Sequence, residues 1–582
     1  MSRRAPTYMA DFETTVEFQY FVEGCVRVWA WAVEEVDGHQ EVFTGETIEE
    51  FINFFTGKKA TIYFHNMKFD CMFLLDYWMR HGVPRAELDD TSQEEYLHTI
   101  IDGHGQMYIV RYVNKLDGTD LTFKDLMKKY RMPLEKIAQI FGIEGKSPLL
   151  LGYRPIGREV TDWEWERVIN DVRIGAVALR YQMVNGLTGL TVASDAIRSY
   201  QDFIGMDVYK QRHPNLSYEL DQELRRAYRG GEVYVNPKWR EKDVFDVLVF
   251  DYNSQYPAVM KGTKGEKLPA GMPRRVEPDY QDREDEVSIV DVTCTLKLKP
   301  GAIPWIHYKG VFGHTSEEFI YNEKSPLRFS FTSVDMELLR RTYDTPIFQI
   351  NKKFVFHAEE GQFADYIDYQ TSLKIEADKA GNGGARQQAK DMMNTPSGRF
   401  ALNPNAEQKI PYFDPEENRI KFNRVEERRK NAYCPTSCFI TAYARNHIIT
   451  DAMKFGDQLV YIDTDSMHIM KGPIDPFEVL DVDPRALGKL KHEATWKRAR
   501  YLRPKAYYHD MGPGSNRDPE KGKVEVEIKC GGMPDAVKDF VDYENFFINK
   551  EFNGKLMGQV VPGGYLLRDT KYKIKEKEGW RL

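Results

Sequence analysis

The chain has 582 residues and a formal net charge of −8, too long for one hydrophobic core, so several domains are predicted. With 42% hydrophobic and 13% aromatic residues it is globular, and no apolar run approaches the roughly 20 residues of a membrane helix. The acidic total excludes a uniformly basic nucleic-acid binder but not a basic channel, because carboxylates that hold metals also push the sum negative.

Six cysteines in such a chain do not make a disulfide framework. Cys434 and Cys438 have loosely metal-like spacing without a second Cys/His pair nearby, and read as ordinary thiols. The N-terminus, Met1 to Pro6, is basic but has no apolar signal region behind it, so a cell-interior location and no membrane are expected.

In chain order, Tyr8 to Thr15 is a short strand ending in alternating acids, with Asp11 and Glu13 on one face. Val26 to Val33 reads as the next strand. Ala60 to Phe64 is a further strand that delivers His65, Asn66, Met67, Lys68, Phe69 and Asp70 at its end, where α/β folds place chemistry. Asp171 falls within a helix predicted over 163–183. Each acid alone reads as a surface charge. Together, strand, loop and helix acids have the layout of a two-metal nuclease.

Tyr228-Arg229-Gly230-Gly231 follows; paired glycines allow close backbone approach, although the bare motif is weak and reads first as a plain turn. Val247 to Phe250 is a buried strand presenting Asp251, then Tyr252 to Pro257, with a turn into a helix around Ala258 to Met260. From 262 to 360 the expectation is a mixture of short strands and loops without catalytic clusters. Helices over 362–379 and from 385, joined by Gly381-Asn382-Gly383-Gly384, imply an antiparallel hairpin. Arg386 and Lys390 share a face and Lys374 can oppose them; such cations suit a triphosphate, but exposed helical lysines are common.

After Asn394-Thr395-Pro396-Ser397-Gly398 comes a polar hairpin from Asn403 to Lys430, then a helix beginning near Phe439. Tyr461 to Ser466 reads as the tip of a β-hairpin with Asp463 and Asp465 on one side. The pair is either a cation site, Mg²⁺ being the simplest answer, or a polar turn with two solvated acids. Asp251, from a separate strand, supplies the third partner that a metal site needs. Lys497 to Tyr507 is basic with interleaved aromatics, which suggests phosphate contact plus stacking, with Tyr501 and Tyr507 arguing against a merely solvated face.

On Asp11 to Thr14, Asn66 to Asp70, Tyr228 to Gly231, Asp251 to Pro257, Asn394 to Gly398, Tyr461 to Ser466 and Lys505-Ala506-Tyr507, the chain resembles the family B DNA polymerases. In order and length it is similar to their protein-primed branch, the replicases of phi-29-type phages. The resemblance implies an α/β and α+β multidomain fold. An RNase H-like 3′–5′ exonuclease would occupy 1–190, followed by a right-hand polymerase. Its palm would span 191–261 and 431–531, its fingers 361–400 and its thumb 532–582. Insertions resembling terminal-protein regions 1 and 2 would fall at 262–360 and 401–430.

Residue by residue, the resemblance implies that Asp251 and Asp465 bind two Mg²⁺ ions, replaceable by Mn²⁺, with the Tyr252 carbonyl and Asp463 close by. Asp11, Glu13, Asp70 and Asp171 would hold two ions in the exonuclease. Lys146 sits at about the spacing of a catalytic lysine, and reads equally as a solvated loop lysine. Tyr256, Lys374, Arg386, Lys390 and Gly398 would meet the nucleotide, Tyr256 excluding a 2′-hydroxyl by contact. Thr14, His65, Asn66 and Phe69 would hold an unpaired 3′ end; Tyr228, Gly230, Gly231, Thr464, Lys505 and Tyr507 would touch primer and template.

The implied function is replication of linear phage-like or plasmid-like DNA by a monomer in the cytoplasm of a bacterial host. It would use dNTPs, a DNA primer-template and a terminal protein as primer, with proofreading and strand displacement. The second insertion would close a ring around the duplex. Two family tyrosines are replaced, by Arg167 and Ser397; the expectation is that metal binding survives while exonuclease rate and fidelity differ. One alternative is mainly a 3′–5′ exonuclease with a degenerate polymerase half. Another is a binding scaffold without chemistry, against which the placed carboxylates speak.

Overall fold

The computed structural model describes residues 5–87, 92–147, 150, 152–311, 313–316, 318–430, 432–518 and 522–576. Met1 to Arg4, and with them most of the basic N-terminal stretch, lie outside the described residues. Among those described, no helix is long and apolar enough to cross a membrane.

The N-terminal part is a seven-stranded sheet. Its strands, taken across the sheet, are Val42–Gly45, Val28–Glu35, Thr7–Thr14, Lys59–Phe64, Thr119–Asp125, Met107–Asn114 and Glu95–Ile101. Thr7–Thr14 pairs parallel to Lys59–Phe64, which pairs parallel to Thr119–Asp125; the outer pairs are antiparallel. One face buries Phe12, Phe51, Phe64 and Trp78, and the other is covered by the helix Asp162–Val184. Thr161 and Glu164 close a capping box at the start of that helix, satisfying its first amides. Gly175 lets it settle on the sheet: a Cβ there would stand 2.5 Å from Met9 Cε. That close approach brings Asp171 down onto Asp11.

The two stretches expected to form a palm meet in a second, antiparallel sheet: Val526–Cys530, Ala506–Asp510, Leu490–Arg503, Asp243–Tyr252, Ser466–Met470, Leu459–Asp463 and Val233–Val235. The helix Cys434–Ala452 lies behind it, starting five positions before the expected Phe439. Cys434 and Cys438 are buried on that helix and form no disulfide. The stretch expected to be the fingers is a pair of helices, Ala364–Lys379 and Gly383–Phe400. The polar hairpin pairs Asn405–Asp414 with Arg419–Arg428, and a second hairpin, in the stretch expected to be the thumb, pairs Glu551–Val561 with Gly564–Lys573.

The region 262–360 departs from the expectation of short strands. It is a sheet with strands of 10, 13, 11 and 13 residues, Lys267–Val276, Glu286–Leu298, Asn322–Thr332 and Phe348–Glu360. Glu286–Leu298 is buried on both faces through most of its length, so it lacks the alternation that marks a half-exposed strand.

Candidate active sites

Two clusters of carboxylates stand in separate parts of the molecule. In the first, Asp11 and Glu13 come from the strand Thr7–Thr14, Asp70 from the first turn of helix Lys68–Arg80, and Asp171 from the long helix. Removal from solvent, then repulsion from Asp171, pushes the Asp11 carboxyl up to about 7, against the pull of Lys146 and Arg167. Asp70 is pushed well above the usual carboxylate range by burial and by Asp11. Asp70 Oδ1 and Asp171 Oδ1 are buried without a hydrogen-bond partner, and such oxygens suit a cation. Lys146 Nζ stands 2.8 Å from Asp171 Oδ2. Burial works against the Lys146 ammonium, but Asp11 and Asp171 outweigh it and hold its proton more tightly than in a free lysine.

Arg167, at the position where metal binding is expected to survive the loss of the family tyrosine, lies against one of the four acids. Its guanidinium contacts the Glu13 carboxylate, and both groups are buried. A buried cation takes the nearest buried carboxylate, so Glu13 already has a partner. Trp163 is half exposed and lines a cavity of about 190 Å³ with Thr14, Trp29 and Tyr153, while Trp165 packs beneath the helix. Of the residues expected to hold a 3′ end, Asn66 is exposed at φ 66°, its N–H donating to Asp125 Oδ1 at 3.0 Å. Phe69 meets the Tyr565 ring of the thumb edge-on at 5.9 Å. His65 is held to about 4 by burial and by Lys146, against the Met132 backbone, which favours its proton. It is a neutral ring at pH 7.

The second cluster forms where two strands pair. Ser466 lies opposite Asp251, and Tyr252 N–H donates to the Asp465 carbonyl at 2.9 Å. Burial, then Asp465, pushes Asp251 up to about 7; burial, Asp463 and Glu493 push Asp465 up to about 6. These mutually repelling carboxylates fit a divalent ion. Asp463 is engaged otherwise: Tyr461 donates to it at 3.2 Å, Thr464 Oγ1 donates at 3.2 Å, and Lys505 Nζ is 3.5 Å away. Among the described residues, no three His, Cys, Asp or Glu side chains are drawn together as a finished metal cage.

Thr464 sits at φ 63° at the hairpin tip, its N–H donating to the Glu232 carbonyl at 2.6 Å. A Cβ at Gly231 would lie 2.6 Å from Thr464 Cγ2, which is why the tip can rest there. Gly230 and Gly398 have open space where a Cβ would go. Tyr256 is half-buried, raised to about 12 by burial and by the neighbouring Tyr228. Lys374 feels Arg386, Lys390 and the Lys491 that stands opposite Asp251; burial, then these cations, lower its proton affinity against the pull of Asp378. Arg386 Nε is anchored 2.6 Å from Asp378 Oδ1.

Several expectations change here. Ser397 is buried, its Oγ donating to the Asn394 carbonyl at 3.1 Å, and it lies inside a continuous helix with Pro396. The Met392 carbonyl that Pro396 leaves unbonded has the Tyr366 hydroxyl 3.5 Å away. The basic stretch is largely internal: Tyr501 is fully buried, Arg498 pairs with Asp510 and Arg500 with Asp243, so none of these three is placed for stacking or phosphate contact. Strand pairing, not solvent exposure, set that alternation. Tyr507 is nearly buried, its ring stacked on His509 at 4.6 Å.

Sequence reading missed Lys491 and Glu493, which strand pairing brings beside Asp251. It also missed Arg445, which donates to the Arg229 and Gly230 carbonyls at 2.8 Å and pairs with Asp335 at 2.7 Å. A lone arginine in an apolar helix was the available signal.

A family model described as DNA polymerase type B, organellar and viral, matches residues 167–475. The DNA polymerase of Bacillus phage PZA is 35% identical over 588 residues, covering 98% of this chain and 99% of its own length. The structure of phi29 DNA polymerase complexed with primer-template DNA and incoming nucleotide substrates matches with a TM-score of 0.88 at 33% identity. It covers 98% of this chain and 100% of that one. Phi29 DNA polymerase complexed with single-stranded DNA matches with the same TM-score and coverage at 32% identity.

Proposed function

The chain belongs to the type B DNA polymerases of organelles and viruses, and on that premise we propose that it is a protein-primed replicase with proofreading and strand displacement. It is a DNA-directed DNA polymerase of the phi29 type. The observation that carries the finer reading is the pairing of Ser466 with Asp251. It sets two proton-raised carboxylates, Asp251 and Asp465, side by side and near Lys491, which in turn is felt by Lys374 with Arg386 and Lys390.

Asp251 and Asp465 would hold two Mg²⁺ ions, which lower the charge on the α-phosphate and favour the ionised 3′ hydroxyl. Mn²⁺ suits the same oxygen ligands. The Tyr252 carbonyl and Asp463 lie beside them. The primer 3′ oxygen bonds to the α-phosphorus, the bond to the bridging oxygen breaks, and pyrophosphate leaves. The finger cations bind the β- and γ-phosphates, and Tyr256 lies under the sugar. Gly230 and Gly231, with Tyr228, bring the link between the two halves against the template, while Lys505 and Tyr507 hold the primer end. The exonuclease cluster takes an unpaired 3′ end through Thr14, Asn66, His65 and Phe69, with Asp11, Asp70 and Asp171 toward metal and Lys146 beside them.

The polar hairpin supports a closed ring. Ile420 of that hairpin and Val561 and Leu566 of the thumb are buried in the same core as the exonuclease sheet. Arg419 donates to the Val560 carbonyl at 3.1 Å, and the Val26 N–H to the Pro562 carbonyl at 3.0 Å. A terminal protein primer and work as a monomer in a bacterial host's cytoplasm complete the proposal. Primer extension with dNTPs and Mg²⁺, with and without a terminal protein, tests it. Extension that Asp251→Asn abolishes supports the reading; single-strand degradation without any extension would favour a degenerate polymerase half.

A further inference from the structure

A two-metal exonuclease would place four carboxylates around two divalent ions, and Glu13 does not fit that role. Its carboxylate contacts the Arg167 guanidinium, and their side chains are 9% and 2% exposed. Arg167 rises from the second turn of helix Asp162–Val184. Its helix neighbours Val168, Val172 and Ile174 are fully buried, and Gly175 is pressed against Met9. The helix cannot withdraw the cation without leaving the sheet. An arginine keeps its charge at any working pH, and surrendering Glu13 to a metal would leave the guanidinium buried beside a second cation. Lys146 differs: its side chain is 38% exposed and comes from a loop, so it can swing away from Asp171 into water.

Resting on the exonuclease reading of this cluster, we propose that Arg167 stands in for one of the two ions, so that the site takes a single divalent cation on Asp11, Asp70 and Asp171. Arg167 acts as a positioning residue that holds and neutralises Glu13.

The test counts ions in the full chain carrying Asp251→Asn and Asp465→Asn, which removes the polymerase ligands. Mn²⁺ is titrated with thymidine 5′-monophosphate present, and bound ions are counted by electron paramagnetic resonance. One ion per chain is expected, rising to two with Arg167→Tyr and staying at one with Arg167→Lys. Two ions with Arg167 in place overturn the proposal, and so does a single ion in Arg167→Tyr. Should the tyrosine variant not fold by circular dichroism, Arg167→Gln is expected to show the same rise. Single-strand degradation by the same chain in Mg²⁺ separates the two levels. Degradation with two bound ions overturns only the role of Arg167, whereas no bound ion and no degradation overturns the exonuclease reading beneath it.

Discussion

Glu232, next to the paired glycines, is a carboxylic acid that the fold keeps protonated. Burial raises it to about 8 despite Arg445 and Lys309, and its Oε1 has no hydrogen-bond partner. The unfolded chain loses that proton near the ordinary 4.5, so the folded state binds more protons between there and about pH 8. Stability from this group therefore falls as pH rises through that window. Glu232→Gln should remove the slope and stabilise the chain at pH 9 by on the order of 2–4 kcal/mol, read from denaturant midpoints at pH 5, 7 and 9. A variant less stable than the parent at pH 9 contradicts the account. At Gly231, an added Cβ meets the stiff Thr464 side chain. Gly231→Ala should cost about 1–3 kcal/mol and lower primer extension at least about tenfold, with single-strand degradation kept. Equal extension by the two proteins would show that the hairpin tip does not depend on this approach.

At the scale of elements, what was legible in the sequence was what local pattern dictates. The Asp463–Asp465 hairpin, the strand ending in Asp11 and Glu13 and the helix carrying Asp171 follow from alternation, turn chemistry and helical period. The strands of 262–360 were not legible, because burial on both faces erases alternation. Nor was the fate of Arg498, Arg500 and Tyr501, whose partners Asp510, Asp243 and His468 lie on other strands. Sequence spacing says which side chains share a face, but not whether that face meets solvent or another element. Contact between the two hairpins belongs to the same scale. Arg419 joins the tip of the polar hairpin to the thumb at Val560. Arg419→Ala should shorten the products made in one binding event roughly three- to tenfold, as a loss of about 1 kcal/mol from that contact implies. Product length on a primed single-stranded circle, measured with a DNA trap, reads this, and unchanged lengths would remove the hairpin contact from the account of processivity.

For the whole molecule, the two carboxylate clusters are separate, each built on its own sheet, and a helix of the central part packs against the N-terminal one. The helix Gly383–Phe400 begins against the exonuclease helix Leu134–Phe141, where a Cβ on Gly384 would meet Phe141 at 2.8 Å. That same helix carries Arg386 and Lys390, which act on Lys374 together with Lys491 of the second sheet. The proposed division of labour is that Asp251 and Asp465 serve to extend a strand, and Asp11, Asp70 and Asp171 to shorten one. A primer with a mismatched 3′ nucleotide, incubated with dNTPs and Mg²⁺ and resolved by length and sequence, puts both halves in one measurement. The account predicts that the natural chain removes the mismatch and then extends. Asp11→Ala with Asp70→Ala should extend with the mismatch retained. Asp465→Asn should only shorten the primer, its extension reduced by at least about 10³-fold. Full extension by Asp465→Asn, or mismatch removal by the double exonuclease variant, would contradict it.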